Sequence, residues 1–293
     1  MKIYVNREPK QGPWGGGNKT IDELCAAIIS NGHKVVFRLD STDIDIIFCF
    51  DPRPNQNGEW YQDFLTYKNN YKCKIIQRVG DVGTHGKPEL TSLLKQCIGY
   101  SDFLIFPSRW AKDFLLSDEY SNAKIIDNAP KKIFYKNRKE ETNIDKINII
   151  THHWSTNKKK GFDMYHLIDT LVADYPDKYS FTYVGRIPAG FSFKSSKHIS
   201  PVGDTDIAML LSAGNVYLTA SKEEAGANHV LEAMAAGLPV LYHANGGSII
   251  NYCKNYGLEY DSYNTLLVQL ENVYKNYKLY KERVLQYNCT IDE

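Results

Sequence analysis

The chain has 293 residues and a formal net charge of +1, from 35 Lys and Arg against 34 Asp and Glu. This balance argues against a polyanion-binding surface, and the length corresponds to about two domains of roughly 150 residues each. No apolar run approaches the roughly 20 residues that a bilayer-spanning helix needs, and the N-terminus lacks a signal-peptide pattern. We therefore expect a cytoplasmic protein with no integral membrane segment.

In the first half of the chain, apolar β-rich runs alternate with amphipathic helical patterns. In TIDELCAAIISNG, for example, the apolar residues that should fall on one helical face are Ile21, Leu24, Cys25, Ile28 and Ile29. Such alternation predicts a parallel, doubly wound α/β sheet. The candidate strands are KIYV, KVVFRL, DIIFCF, KIIQRV and DFLIF.

The second half repeats this organisation after a polar stretch at 130–146, which is typical of an interdomain linker. Its candidate strands are INII, FTYVG, VYLTA and PVLYH, so a second Rossmann-like sheet is expected. We predict an N-terminal lobe at 1–135, a C-terminal lobe at 146–265 and C-terminal helices at 266–293.

Two segments of the N-terminal lobe carry candidate ligand contacts. Gly15, Gly16 and Gly17 precede a predicted helix near Asn18, where glycines would let an oxyanion approach the backbone. A flexible turn is an equal alternative, and the absence of G-x-G-x-x-G spacing disfavours a nicotinamide dinucleotide.

The second of these segments, RVGDVGTHGKPE, follows a strand end, which is where open α/β sheets place ligands. Its reactive candidates are Arg78, Asp81 and His85, although His85 could equally be a plain surface histidine.

No metal site is expected, and no divalent cation is required. Two Asp-x-Asp triplets, at Asp43 and at Asp204, imitate a metal-binding motif, but strand entry and helix capping explain them better. The adjacent His152 and His153 lie in a predicted strand and should point to opposite sides of the sheet. The six cysteines form no C-x-x-C pair and are expected to be reduced, mostly buried thiols.

The segment EAGANHVLEAMAAG places Glu224 and Glu232 eight residues apart, between a predicted strand and a helix that ends at Gly237. The small residues 225–227 let a ligand approach the backbone, and the helix N-terminus suits phosphate oxygens. Each carboxylate can accept two hydroxyl hydrogen bonds, as the vicinal diols of a hexose and a ribose require. On these residues alone, a solvent-facing Glu232 and an acidic pair of Glu223 with Glu224 are an equal alternative.

This pattern continues into a Gly-x-Pro-Val strand and resembles that of the retaining glycosyltransferases of family 4 (glycosyltransferase group 1). The matching residues are Glu224, Glu232, Gly237, Pro239 and Val240. The resemblance implies the GT-B architecture, in which an acceptor-side N-terminal lobe and a donor-side C-terminal lobe face a central cleft. It also implies that the last helix crosses back to the N-terminal lobe.

The resemblance assigns roles to residues of the C-terminal lobe. Glu224 would contact hydroxyls of the donor sugar, and Glu232 would hold the ribose of the nucleotide. The backbone expected near the sugar comprises Gly226, Ala227, Asn228 and His229.

Family members also place an Arg several residues before a Lys-Gly pair, with both cations at the donor diphosphate. Lys160 occupies the Lys position, where it would stabilise the leaving group, whereas Ser155 stands near the Arg position. Ser155 could donate a hydroxyl hydrogen bond instead, or Lys158 or Lys159 could replace the missing cation. A run of solvated lysines is the alternative interpretation.

In the N-terminal lobe, the resemblance implies that Gly16 and Gly17 lie near the donor phosphates or the acceptor. It also implies that His85 or Asp81 contacts the sugar or the acceptor. The predicted activity is therefore transfer of a sugar from a nucleoside-diphosphate sugar to an unknown acceptor (polysaccharide, lipid-linked glycan, protein or modified nucleic acid), with retention of configuration and without a cofactor. A sugar-nucleotide epimerase and a non-catalytic, lectin-like or scaffolding protein are the alternatives, which an acceptor-dependent product would exclude.

Overall fold

The computed structural model describes residues 1–12, 14–116 and 120–291. The chain forms two compact units, Met1–Asp127 and Asn128–Glu293. Within the described residues, each unit contains a six-stranded parallel sheet flanked by helices. The predicted α/β class with two Rossmann-like lobes is therefore confirmed.

The sheet of the first unit has the strand order β2-β1-β3-β4-β5-β6, and every pairing in it is parallel. Tyr4 packs on one face of the sheet while its neighbours Ile3 and Val5 pack on the other, as the two-residue period of a strand requires. The strands are β1 (Lys2–Val5), β2 (Lys34–Val36), β3 (Ile46–Cys49), β4 (Lys74–Arg78), β5 (Phe103–Phe106) and β6 (Ala123–Ile125). The helices are α1 (Gly16–Ser30), α2 (Tyr61–Asn70), α3 (Pro88–Ile98) and α4 (Arg109–Leu115).

Helix α1 begins earlier than the sequence predicts. Gly15 is its N-cap residue, and Gly16 and Gly17 form the start of its first turn. The prediction that all three glycines precede the helix was therefore wrong. The first N–H groups of a helix have no intrahelical partner in any case, so the conformational freedom of glycine is better tolerated there than in the helix interior. Asn18 fastens the preceding loop, because its side chain exchanges hydrogen bonds with the backbone of Lys10 at 2.7 and 2.9 Å.

The sheet of the second unit has the order β12-β11-β10-β7-β8-β9 and is also parallel throughout. Its strands are β7 (Ile147–His153), β8 (Tyr179–Gly185), β9 (Lys197–Ile199), β10 (Val216–Thr219), β11 (Val240–His243) and β12 (Gly257–Tyr260). Its helices are α5 (Phe162–Asp174), α6 (Asp204–Ala213), α7 (Asn228–Ala235), α8 (Ser248–Cys253), α9 (Tyr263–Lys275) and α10 (Tyr277–Val284).

The stretch predicted as a polar linker packs partly into this second unit. A 3-10 turn at Lys132–Tyr135 carries Phe134, which is 1% exposed and belongs to the core around α6 and α7. Farther along, Arg138 donates hydrogen bonds to the carbonyl oxygens of Val284 (2.6 Å) and Tyr287 (3.1 Å). These contacts hold the segment against the C-terminal helix.

The predicted C-terminal helices pack with buried side chains. Leu266, Leu270 and Val273 on α9 are fully buried. Lys281 on α10 is buried as well, and its ammonium donates to the carbonyl oxygen of Gly237 at 2.7 Å. The crossing of the last helix to the N-terminal lobe stays a prediction.

Two predictions about residue environment can be compared with the structure. All six cysteines are free, and five of them are buried, with Cys289 the exposed one. Across the described residues, no helix combines the length and the apolar character that a membrane span needs.

Candidate functional site

Most of the predicted site residues meet at one edge of the second sheet. Because its strands are parallel, the carboxyl ends of β7, β10 and β11 lie together, and the connections that follow them carry polar side chains. The site residues on these connections and on the start of α7 are Ser155, Lys160, Glu224, Gly226, Ala227, Asn228, His229 and Glu232. Gly16, Gly17 and His85 belong to the first unit.

An ion pair joins two of these connections. The ammonium of Lys160 contacts Glu224 Oε1, with side-chain exposures of only 11% and 13%. Next to it, Lys159 pairs with Glu223 in a more exposed position. Water screens a half-buried pair less than an exposed one, so the Lys160–Glu224 contact is the stronger of the two.

Lys160 is positioned by the turn that precedes α5. The Asn157 side chain accepts a hydrogen bond from the Lys159 N–H at 2.9 Å and so caps the short 3-10 turn at Lys158–Lys160. Ser155 Oγ accepts from the Asn157 N–H at 3.1 Å. Gly161 then adopts φ +82°, and a Cβ there would lie 2.4 Å from the Cβ of Ala220. Only glycine permits this close approach of the connection to the end of β10.

Glu224 is positioned by the connection after β11. Its N–H donates to the Gly246 carbonyl at 3.2 Å, and its own carbonyl accepts from the Ser248 N–H at 2.8 Å. Gly247, at φ +69°, passes so close that a Cβ would lie 2.6 Å from the Glu224 carbonyl oxygen. Glu223 itself adopts φ +54°, a conformation that is uncommon outside glycine and that these contacts stabilise.

Glu232 is mostly buried, and one of its carboxylate oxygens contacts a histidine of the neighbouring strand. It is 5% exposed, and its Oε2 lies 2.6 Å from Nε2 of His152, which is 7% exposed. The Tyr217 hydroxyl lies 3.1 Å from His152 Nδ1 and accepts the His152 backbone N–H at 3.2 Å. The alternative interpretation of Glu232 as a solvent-facing helix residue is therefore wrong.

His153 points to the other side of the strand, as its alternation with His152 predicts. Its Nε2 lies 2.6 Å from the hydroxyl of the buried Tyr165, which also accepts the Ala220 N–H at 3.2 Å. Burial raises the pKa of Tyr165 to about 12. This tyrosine thus connects β7, α5 and the end of β10 as a neutral hydroxyl.

The loop before α7 is fastened by Asn128, at the start of the second unit. Its amide donates to the Gly226 carbonyl oxygen at 3.2 Å and to Asn228 Oδ1 at 2.6 Å. The Ala227 N–H donates to Ser248 Oγ at 3.2 Å. The small residues that a ligand would approach are therefore held from two sides.

His229 faces the strand ends from the first turn of α7. Its Nε2 lies 3.1 Å from Thr219 Oγ1, and its ring centroid lies 4.7 Å from that of His153. Burial among these groups lowers the pKa of His229 to about 3, although Glu224 acts in the opposite direction. His229 is consequently neutral at physiological pH and can exchange hydrogen bonds without carrying charge.

The first-unit candidates occupy a separate loop. Asp81 accepts the Gly83 N–H at 2.8 Å and pairs with Lys87 at 2.7 Å, while His85 is partly exposed. Arg78 is 8% exposed, with its guanidinium 5.7 Å from the Phe50 ring centroid. The roles predicted for His85 and Asp81 stay predictions.

The two Asp-x-Asp triplets have structural partners. Asp43 pairs with Lys2 at 2.5 Å, which agrees with a role at strand entry. Asp204 is the first residue of α6 rather than its cap, since Gly203 holds the N-cap position, and its carboxylate lies 3.5 Å from Lys131. Among the residues with described positions, no group of three or more His, Cys, Asp or Glu could hold a metal ion.

Sequence patterns alone missed the residues that support the site. His152 and Asn128 contact the predicted residues Glu232 and Asn228 directly. Tyr217 and Tyr165 contact the neighbouring His152 and Ala220, and none of these four supporting residues carries a motif of its own. The one usable signal was the strand alternation of His152 and His153, which fixes their opposite directions but not their partners.

Neither a protein-family profile nor a curated protein sequence matches the chain. Solved structures do match it in fold. A sucrose-phosphate synthase from Thermosynechococcus elongatus is 14% identical, with 98% of this chain and 94% of that chain covered and a TM-score of 0.70. WaaG, a glycosyltransferase involved in lipopolysaccharide biosynthesis, is 17% identical, with coverages of 98% and 95% and a TM-score of 0.66.

HepE from Anabaena, solved with UDP and glucose, is 14% identical, with coverages of 98% and 97% and a TM-score of 0.66. At such identities the similarity establishes the fold. The chain thus has the two-lobed Rossmann-like fold of these GT-B proteins, as the glutamate pattern implied.

Proposed function

We propose that the protein is a glycosyltransferase that moves a sugar from a nucleoside-diphosphate sugar to a hydroxyl acceptor with retention of configuration, as in family 4. The observation that carries the proposal is the convergence of Lys160, Glu224 and Glu232 at the carboxyl edge of one sheet. The same fold occurs in a glycosyltransferase of lipopolysaccharide biosynthesis and in a protein solved with UDP and glucose, which supports this substrate class.

In this proposal the donor lies over the start of α7. Glu232 holds the ribose hydroxyls, and His152 keeps its carboxylate in one orientation. The backbone of Gly226, Ala227 and Asn228 lies near the sugar, where small residues leave room for it. Neutral His229 adds a polar contact from the same turn.

Lys160 is the proposed electrophilic group. An ammonium has three N–H donors, so the contact with Glu224 leaves capacity for a diphosphate oxygen. As the bond between the sugar C1 and the diphosphate oxygen breaks, its electron pair moves onto the diphosphate, and Lys160 stabilises the charge that develops. The acceptor oxygen bonds to C1, and its proton passes to a phosphate oxygen.

Glu224 would orient the sugar hydroxyls while Lys160 fixes its carboxylate. Ser155 is proposed to contribute a hydroxyl near the diphosphate. In the first unit, Gly16, Gly17 and His85 are proposed contacts for the acceptor or the donor phosphates. We also propose that transfer needs no metal and, on the basis of the six free cysteines, that the protein works in the reducing cytoplasm.

The first test is a thermal-shift panel of UDP, GDP, ADP, CMP and dTDP, with and without attached sugars. A ligand at 100 times its dissociation constant stabilises the native state by about 2.7 kcal/mol, which is readily measured. We expect one nucleotide to raise the melting temperature of the wild type and not that of Glu232→Ala. Glu259→Gln, which removes an exposed carboxylate on β12, is the control and should respond like the wild type.

The second test is the anomeric configuration of the product, measured by NMR once the donor is known. Retention supports the proposal, whereas inversion contradicts the family 4 mechanism. Conversion of the donor without an acceptor would instead identify an epimerase. Nucleotide binding without turnover across an acceptor panel would identify a binding protein.

A further inference from the structure

A further cation lies at the same sheet edge, after a strand where the sequence patterns did not place one. Arg186 directly follows β8, and its guanidinium carbon lies 3.8 Å from the ring centroid of Trp154, which directly follows β7. The two residues are neighbours because β7 and β8 run parallel with His153 opposite Gly185. Trp154 belongs to the same connection as Lys160.

The backbone holds Arg186 close to this connection. Gly185 adopts φ +136°, and a Cβ there would lie 1.9 Å from the His153 carbonyl oxygen, so only glycine permits the approach of the two strand ends. The hydroxyl of Tyr183 donates to the Arg186 carbonyl oxygen at 2.9 Å. The start of the arginine side chain is thus fixed by the sheet, and its end by the indole.

The ion pairs at this edge determine which cations keep an uncompensated positive charge. Glu224 neutralises Lys160 and Glu223 neutralises Lys159, so these two lysines together contribute no net charge. Across the described part of the chain, Arg186 has no carboxylate within ion-pair distance, and its charged group contacts the Trp154 ring. A diphosphate bound at this edge would therefore meet the uncompensated charge of Arg186.

Stacking prepares the guanidinium for an anion. A guanidinium that stacks on an aromatic ring contacts the ring with its flat face, while its five N–H donors point outward in the plane of the group. Such a fork matches two phosphate oxygens at once, and its side-chain entropy is already reduced by the stacking. We propose that Arg186, held on Trp154, binds the diphosphate of the nucleotide donor and supplies the cation that is absent at Ser155. This inference rests on the proposed function.

The test compares affinities for the nucleoside, its monophosphate and its diphosphate, using the base identified in the wild-type panel and isothermal titration calorimetry. Loss of a charge-assisted hydrogen-bond pair corresponds to about 10- to 100-fold in affinity. We expect Arg186→Gln to weaken diphosphate binding by about this factor and to leave nucleoside binding unchanged. Trp154→Leu should weaken diphosphate binding by a smaller factor, because the guanidinium is no longer held.

Lys197→Gln is the matched control, since it removes one exposed positive charge from the amino end of β9 in the same sheet. It should bind all three ligands like the wild type. If Lys158→Gln, rather than Arg186→Gln, abolishes the preference for the diphosphate, the lysine run holds the phosphate and the inference is wrong.

The remaining outcomes separate the inference from the function on which it rests. If the wild type binds no nucleotide, both fail. If the wild type prefers the diphosphate and Arg186→Gln keeps that preference, the inference fails alone. If Arg186→Gln weakens the nucleoside and the diphosphate equally, Arg186 contacts the nucleoside and its assignment to the phosphates is overturned.

Discussion

At the level of single residues, the buried contact between His152 and Glu232 should contribute to the stability of the second unit. His152→Ala should lower the free energy of unfolding by about 3 kcal/mol, because the Glu232 carboxylate, which is only 5% exposed, loses its contact with His152. Urea denaturation measures this loss. In the double variant with Glu232→Ala, the total loss should fall short of the sum of the single losses by about 1–3 kcal/mol.

The control for this cycle is His166→Ala, which removes an exposed histidine on α5. Its effect should simply add to that of Glu232→Ala. Additive losses for the His152 pair as well would show that the contact at 2.6 Å contributes nothing specific.

His229 should make stability depend on pH. Its pKa is lowered to about 3 in the native state, from about 6.5 in the unfolded chain, chiefly by burial. Between these values the unfolded state binds a proton that the native state does not, so stability falls as the pH falls from 6.5 towards 3. His229→Gln should flatten this decline in free energies of unfolding measured by urea titration at several pH values. His166→Gln controls for loss of a histidine, and a decline as steep as in the wild type would refute the prediction.

At the level of secondary-structure elements, the sequence predicted the centre of each sheet better than its edges. The central strands β1, β3, β4, β5, β7, β8, β10 and β11 all coincide with apolar runs in the sequence. By contrast, β6, β9 and β12 were missed, and all three are edge strands. An edge strand pairs on one side only and can be short and polar, as KHI of β9 is, so it leaves little apolar signal.

The close approach of the connection before α5 to the end of β10 predicts that Gly161 tolerates substitution less well than Gly190 does. Gly161 and Gly190 have similar left-handed φ values, +82° and +79°, but a Cβ at Gly161 meets Ala220 whereas one at Gly190 meets nothing within 4 Å. Gly190→Ala should therefore cost about 1 kcal/mol for its backbone conformation alone.

Gly161→Ala should cost about 1–3 kcal/mol more, because the added methyl group forces the connection away from Ala220. It should also weaken binding of the nucleotide, since Lys160 moves with this connection. Thermal unfolding and nucleotide titration of both variants measure these effects. Equal losses of stability would mean that the close approach is not required.

At the level of the whole molecule, the sequence predicted the fold and which candidate residues lie together at one edge of the second sheet, but not the contacts that those residues make. The fold followed from alternating patterns, and the site from where strands end. The roles proposed for Arg186 and His152 depend on contacts between neighbouring elements, with Trp154 and Glu232 respectively. Such contacts depend on strand register and side-chain packing, which cannot be predicted from the spacing of residues along the chain.

The positive charge at the carboxyl edge of the second sheet leads to a prediction for the proposed transfer reaction. In the proposed site, Arg186 brings an uncompensated positive charge and Lys160 brings N–H donors beside its ion pair, so protein groups would stabilise the donor diphosphate without a metal ion. Transfer measured in excess EDTA should therefore proceed at the rate found with added Mg²⁺ or Mn²⁺. In Arg186→Gln the rate should fall, and added Mg²⁺ should restore it in part, because a cation bound to the diphosphate can take over the missing charge. Loss of wild-type transfer in EDTA, with recovery on returning the metal, would show that these two cations are insufficient and that a divalent ion takes part.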